Sequence, residues 1–190
     1  MRLTRMAHAL SLVALAGLLA ACAGRGGARP IEPVAHVDLD RFMGDWYVIA
    51  SIPTPFERGA YNAVESYALE QDGRIGTVFR YRKDGFEGGL QTMTPTGFVR
   101  EGTGNAVWGM RFVWPVKAEY IIASLAPDYS DTIVARNRRD YVWIMARTPT
   151  LPEALYRQPV DEVAAMGYDT GRLHRAPQRW PESAPRPPLP

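Results

Sequence analysis

Hydrophobic and polar residues alternate with a period of two in short runs along the middle of the chain, and turn-forming residues break the runs at intervals of roughly 8 to 12 residues. Eight such runs can be counted, at about 45–52, 60–70, 75–83, 88–99, 105–113, 117–125, 131–137 and 140–147. That rhythm predicts a single all-β sandwich or barrel. Asp72-Gly73 and Asp84-Gly85 are tight-turn dipeptides between consecutive runs, which makes the second, third and fourth runs antiparallel neighbours in an up-and-down meander. After the last run, Thr150-Leu151-Pro152-Glu153 has the spacing of a capping box, Leu155, Val163 and Met166 offer an apolar side, and Gly167 supplies a stop. One C-terminal α-helix is therefore expected. Pro159 falls inside it, lacks an N–H and crowds the preceding turn, and so predicts a kink or two short helices.

Parity assigns faces. In the third run Ile75, Thr77, Phe79 and Tyr81 alternate with Gly76, Val78, Arg80 and Arg82, so the arginines are expected to face water and the aromatics the interior. Trp108, Met110 and Phe112 share one face of the fifth run, Tyr120, Ile122 and Ser124 one face of the sixth, and Tyr141, Trp143 and Met145 one face of the last. Val142, Ile144 and Ala146, opposite Trp143, are the natural seat for the helix. Read alone, aromatic stripes of this kind fit a solid core as well as a lined cavity.

Both ends of the chain differ from this middle. Residues 1–21 carry Arg2 and Arg5, an apolar run from Ala9 to Leu19, and small Ala20 and Ala21, the layout of a cleaved secretory leader. The apolar run is shorter than the roughly 20 residues of an ordinary bilayer-spanning helix. Residues 22–36 are rich in Gly, Ala, Arg and Pro and read as a flexible tether, and residues 174–190 as a Pro-rich disordered tail, leaving 37–173 as the folded domain.

The 190 residues include 22 Lys and Arg against 20 Asp and Glu, and removal of Arg2 and Arg5 with the leader leaves the two signs equal. A neutral mature chain carries no electrostatic footprint for nucleic acid. Cys22 is the sole cysteine, so neither a disulfide nor a cysteine-rich zinc site can form. Of three histidines, His8 lies in the leader and His36 and His174 at the two ends of the domain. A Ser-His-Asp triad or a histidine-held metal inside the barrel is thereby excluded, and neither catalysis nor a cofactor is expected.

Leu19-Ala20-Ala21-Cys22 resembles the bacterial lipobox, in which the cysteine is acylated and becomes the new N-terminus. Three further motifs resemble the lipocalins in order and separation. They are Gly44-Asp45-Trp46 on the first strand, Pro127-Asp128-Tyr129-Ser130-Asp131 between the sixth and seventh, and Tyr141 to Thr150 with Arg147 on the last. Phe56-Glu57-Arg58-Gly59 between the first two runs, together with the lipobox, is similar to the bacterial outer-membrane lipocalins and apolipoprotein D. Two departures stand out: Val48 where that subgroup usually has glutamate, and Pro159 within the helix.

The resemblance implies an eight-stranded antiparallel up-and-down β-barrel, the lipocalin calyx, with one C-terminal helix packed on its outside. It implies that Trp46 closes the narrow end under the Arg147 guanidinium, a structural cation–π contact. The barrel would hold one small ligand, lined by Val48, Tyr67, Phe79, Tyr81, Trp108, Met110, Phe112, Tyr120, Ile122, Trp143 and Met145. Glu65 is ambiguous, since family register places Ala63, Glu65 and Tyr67 inside whereas alternation alone equally allows Val64, Ser66 and Ala68. If inside, burial raises its pKa or a partner satisfies it, and it can meet a polar head group. Residues 52–59, with Pro53, Pro55 and Phe56, are expected to form a partial lid with Phe56 turned in. The implied function is binding of a small hydrophobic molecule, a fatty acid or lysophospholipid, by a protein anchored through Cys22 on the periplasmic side of the outer membrane. A barrel packed solid and acting through partners is one competing reading, a lipid-modifying enzyme with acid–base work by Glu65 and a tyrosine is another, and the oligomeric state, a homodimer included, is left open.

Overall fold

The computed structural model describes residues 28–182; the leader, Cys22 and residues 183–190 lie outside the described residues. A one-turn helix α1 (Leu39–Phe42) precedes strands β1 (Gly44–Ile52), β2 (Ala60–Leu69), β3 (Ile75–Lys83), β4 (Leu90–Met93), β5 (Thr96–Val99), β6 (Val107–Val113), β7 (Val116–Leu125), β8 (Asp131–Ala135) and β9 (Val142–Ala146). Helix α2 (Glu153–Ala165) and a two-residue strand β10 (His174–Arg175) follow. Every pairing is antiparallel, and β1 pairs with β9 to close the sheet. The fourth predicted run is one stave in two pieces. Pro95 has no N–H to give to a ladder, so β4 pairs with the upper half of β3 and β5 with its first residues. The result is the expected closed barrel of eight staves with a helix outside.

Alternation sorts the apolar residues into two clusters. Trp46, Val48, Ala63, Tyr67, Ile75, Phe79, Trp108, Met110, Tyr120, Ile122 and Met145 form the inner one. Ile49, Ala50, Ile52, Ile121, Ile133, Val142, Ile144 and Ala146 form the outer one, together with Val163 and Tyr168. Register slips between Val48 and Ala50, and this bulge is why two successive residues, Ile49 and Ala50, join the outer cluster. Val142, Ile144 and Ala146 seat the helix as expected.

The helix itself departs from expectation in three ways. It runs unbroken from Glu153 to Ala165 with Pro159 buried inside it, because packing of that face on the sheet outweighs the one missing hydrogen bond. Its N-cap is Pro152 with no side-chain cap, so the capping box is not used. Leu155 points to solvent, and the face that packs is Tyr156, Val160 and Val163, spaced three to four apart. Gly167, at φ +86°, ends the helix as predicted.

Both supposedly unstructured ends are corrected for the residues described. Within the expected tether, Ile31 is buried, its N–H donates to Asn137 Oδ1, and the N–H of Val34 donates to the carbonyl of Ile122. Residues 174–182 are likewise packed against the barrel instead of disordered. Paired backbone, buried Ile31 and the half-buried Trp180 offset the ordering cost that proline-rich composition alone suggested could not be met.

The narrow end is closed as the motifs imply. Gly44 takes φ +91°, a left-handed conformation that suits glycine, as the chain passes from α1 into β1. Trp46 is fully buried and its indole N–H donates to the Phe42 carbonyl. The Arg147 guanidinium lies 3.9 Å from the Trp46 ring centroid and donates to the carbonyls of Arg41, Phe42 and Asp45. Tyr129 accepts from the Asp38 N–H while Arg41 covers its ring, and Asp128 caps the turn through the Ser130 N–H. Just above, Gly97 allows β5 to approach the core: a Cβ there would stand 3.0 Å from Ile75 Cβ and 3.1 Å from Met110 Sδ. Gly97→Ala is expected to cost about 1–3 kcal/mol through overpacking, read from chemical denaturation.

Candidate functional site

The barrel is filled below and hollow above. Trp108 stacks on Tyr120 with centroids 5.0 Å apart and meets Phe42 and Tyr67 edge-on, making with Ile122 a buried floor. Above it opens a cavity of about 550 Å³ bordered by Glu65, Tyr67, Met110, Tyr120, Trp143 and Met145. These six predicted residues are brought together. Trp108 and Ile122 are not among its borders but support it from below. Val48 and Phe79 border a second cavity of about 450 Å³ instead.

Three expectations about the mouth are revised. Phe112 lies on the rim with 58% of its area exposed, because the β6–β7 register slips between Met110 and Val113 and turns the ring outward. Phe56 also borders the mouth, but its ring is 72% exposed and not tucked in. What fixes that loop is backbone: Tyr81, buried against Phe79, donates its hydroxyl to the Phe56 carbonyl at 2.8 Å. Tyr81 therefore pins the mouth loop and borders neither cavity. Tyr81→Phe is expected to cost about 1 kcal/mol of stability and to speed ligand release, checked by stopped-flow dissociation.

Glu57, which the sequence offered only as part of a loop motif, is a cavity residue. Its Oε2 accepts from the Thr54 N–H at 2.7 Å and its Oε1 from the Trp143 indole at 3.2 Å. Burial raises its pKa against the effect of those donors. No periodic signal marks a loop carboxylate as inward-facing, so alternation had no means of finding it.

Glu65 does face the interior, which decides the register of β2: Ala63 and Tyr67 are in the inner cluster while Ser66, on the other face, donates to Asp45. Its Oε2 is buried without a hydrogen-bond partner. Desolvation, followed by the nearby Glu57 charge, lifts its pKa to about 8, with Tyr67 opposing the rise. The Tyr67 and Tyr120 hydroxyls lie 2.7 Å apart, and burial pushes both well above the usual phenol range. In the unfolded chain Glu65 ionises near 4.5, so the folded state holds the extra proton between about 4.5 and 8. Stability therefore falls as pH rises through that window. Glu65→Gln is expected to flatten this part of the pH–stability curve, measured by thermal melts across it.

The second cavity marks a seam. β1 and β2 pair only between Gly44–Tyr47 and Val64–Tyr67; beyond that they part, and the C-terminal segment fills the gap. β10 pairs with Ala50 and Ser51, the Ala176 N–H donates to the Ile49 carbonyl, and the Asn62 N–H donates to the Pro177 carbonyl. The Gln178 amide bridges the two edges by donating to the carbonyls of Val48 and Ala63. Trp180 packs edge-on against Tyr47 at 5.3 Å, and Glu182 meets Arg82 at 3.1 Å. This corrects the expectation that Arg80 and Arg82 face water: both point outward but are largely covered.

Against known proteins, a family model described as a lipocalin-like domain matches residues 37–178. The chain is 27% identical to the outer membrane lipoprotein Blc of Citrobacter freundii, covering 89% of this chain and 95% of that one. It is 31% identical to apolipoprotein D of Bos taurus, over 75% of this chain and 80% of that protein. Among solved structures, insecticyanin from the tobacco hornworm Manduca sexta superposes with a TM-score of 0.61 at 18% identity, covering 80% of this chain and 86% of that one.

Proposed function

The chain belongs to the lipocalin family, and from that premise we propose that it is an outer-membrane lipoprotein, acylated on Cys22, that carries or stores a single-chain lipid such as a fatty acid or lysophospholipid. The observation that carries the reading is the cavity of about 550 Å³ above a packed floor. Its size falls within the range of small-molecule sites, and its border is largely apolar with tyrosine hydroxyls and a few polar groups. At about 0.8 kcal/mol per buried methylene, some 14 methylenes contribute a gross ~11 kcal/mol before ordering and association costs. Micromolar binding needs no more than that.

Placement in the outer membrane is supported by the likeness to Blc, named an outer membrane lipoprotein, over most of both chains. Anchoring on the periplasmic side rests on the lipobox read at Leu19–Cys22. The cavity disfavours the alternative of a solid barrel acting only through partners, and nothing calls for a catalytic step. Native mass spectrometry of protein purified from membranes, followed by lipid extraction, is expected to show one bound lipid per chain. An empty protein that also fails to take up single-chain lipids in vitro would refute the carrier role. Cys22→Ser is expected to move the protein from the membrane to the soluble fraction, and retention in the membrane would refute the anchor.

A further inference from the structure

We propose that the cavity selects an apolar molecule whose polar end is a neutral or cationic hydrogen-bond donor, an alcohol or an amine, seated against Glu65 and the Tyr67–Tyr120 hydroxyl pair, and that it discriminates against a free carboxylate. The proposal rests on the reading of the barrel as a lipid-binding site and narrows its ligand. Of the two lipid classes named above, free fatty acid is the poorer fit.

Glu65 borders the cavity from the middle of β2, and its buried Oε2 has no partner. Buried carboxyl oxygens are nearly always hydrogen-bonded, so an unmatched one at a cavity wall awaits a partner: ionised, the group only accepts, and protonated it still accepts while its O–H can donate. Tyr67 and Tyr120 bond to each other and flank the same space, which leaves the carboxyl the stronger acceptor there.

Charge points the same way. Glu57 borders the cavity from the mouth loop, and with both oxygens held by Thr54 and Trp143 it acts on a ligand through its field. Its proximity already disfavours ionisation of Glu65. A ligand carboxylate would add a third acid to this space, whereas an ammonium would favour the charged form of both glutamates.

Two further charged groups border the cavity. Glu119 accepts from the backbone and side chain of Asn137. Arg136, the one cation among the described residues bordering the cavity, places Nη1 3.3 Å from Asp140 and lies over the Tyr141 ring, and its Nε is buried without a hydrogen-bond partner. A ligand carboxylate held at that Nε would show as an acid that binds as tightly as the amine.

The test uses four ligands of equal chain length on the delipidated protein: tetradecylamine, tetradecanol, myristic acid and methyl myristate, each titrated by calorimetry. Above about pH 8, where Glu65 is ionised, the amine and the alcohol are expected to bind about tenfold tighter than the acid or better. Raising the pH towards the range where Glu65 ionises strengthens the amine and weakens the acid. In Glu65→Gln the ratio of amine to acid affinity is expected to fall about tenfold, a change that altered packing alone would not produce. An acid that binds as tightly as the amine, or an unchanged ratio in the variant, overturns the proposal. Failure of all four ligands, the uncharged ester included, would instead refute the lipid-binding barrel on which it rests.

Discussion

Trp108→Ala is expected to lower the unfolding free energy by about 3–5 kcal/mol, the range for deleting a large buried aromatic. The indole is almost wholly buried, stacks on Tyr120, touches Phe42 and Tyr67 edge-on, and donates its N–H to the Asn105 carbonyl. Removing it takes out the centre of the floor, and a void forms that Gly97 and its neighbours cannot collapse into without moving β5. Urea or guanidinium melts give the stability change. Ligand selection gives the second readout: the cavity deepens, so the preferred acyl chain is expected to lengthen. A loss under 1 kcal/mol with unchanged chain preference would show that the floor is not packed as described.

The second large effect belongs to the C-terminal segment. Truncation after Leu173 is expected to raise the ligand dissociation rate by about tenfold or more, because it opens the wall beside the cavity without removing any residue of the main cavity. The carbonyls of Val48, Ile49 and Ala63 lose their donors and become open to water. Amides in residues 48–52 and 60–63 are expected to exchange faster with solvent, while those of the lower halves of β1 and β2, which pair directly, stay protected. Gln178→Ala is the milder version. It leaves two acceptors unmatched and costs about 1–3 kcal/mol. Unchanged dissociation and exchange in the truncated protein would reduce the segment to surface decoration.

Much of the barrel was legible because a half-buried strand writes its two faces as alternating residue types. Phe79 and Arg80, or Trp143 and Ile144, separate inner from outer wall on that ground alone. The reading failed where register slips. Phe112 follows Trp108 and Met110 in strict alternation, yet the bulge after Met110 puts its ring on the rim. It failed again where residues act without a period: Glu57 from a loop, and Gln178 from a proline-rich segment that composition marks as unable to pack. The helix was foreseen in place, with Val163 and Met166 on its packed side, but not its continuity through Pro159 nor its first contact, since Leu155 and Tyr156 are both plausible on an apolar face and only contact with the sheet chooses Tyr156.

Sequence alone was enough for the staves, their order, the closing tryptophan with its arginine, and the helix outside, because local alternation, turn dipeptides and spaced motifs are all short-range properties. Tertiary structure decided how much of the interior is empty, which glutamates face it, and that the two edges β1 and β2 are joined by the chain's own C-terminal segment. Those depend on how rings from six strands share one axis and on contacts between residues more than 100 positions apart, such as Gln178 with Val48 and Ala63. Volume and long-range closure are sums over the whole fold, and no window of the sequence contains them.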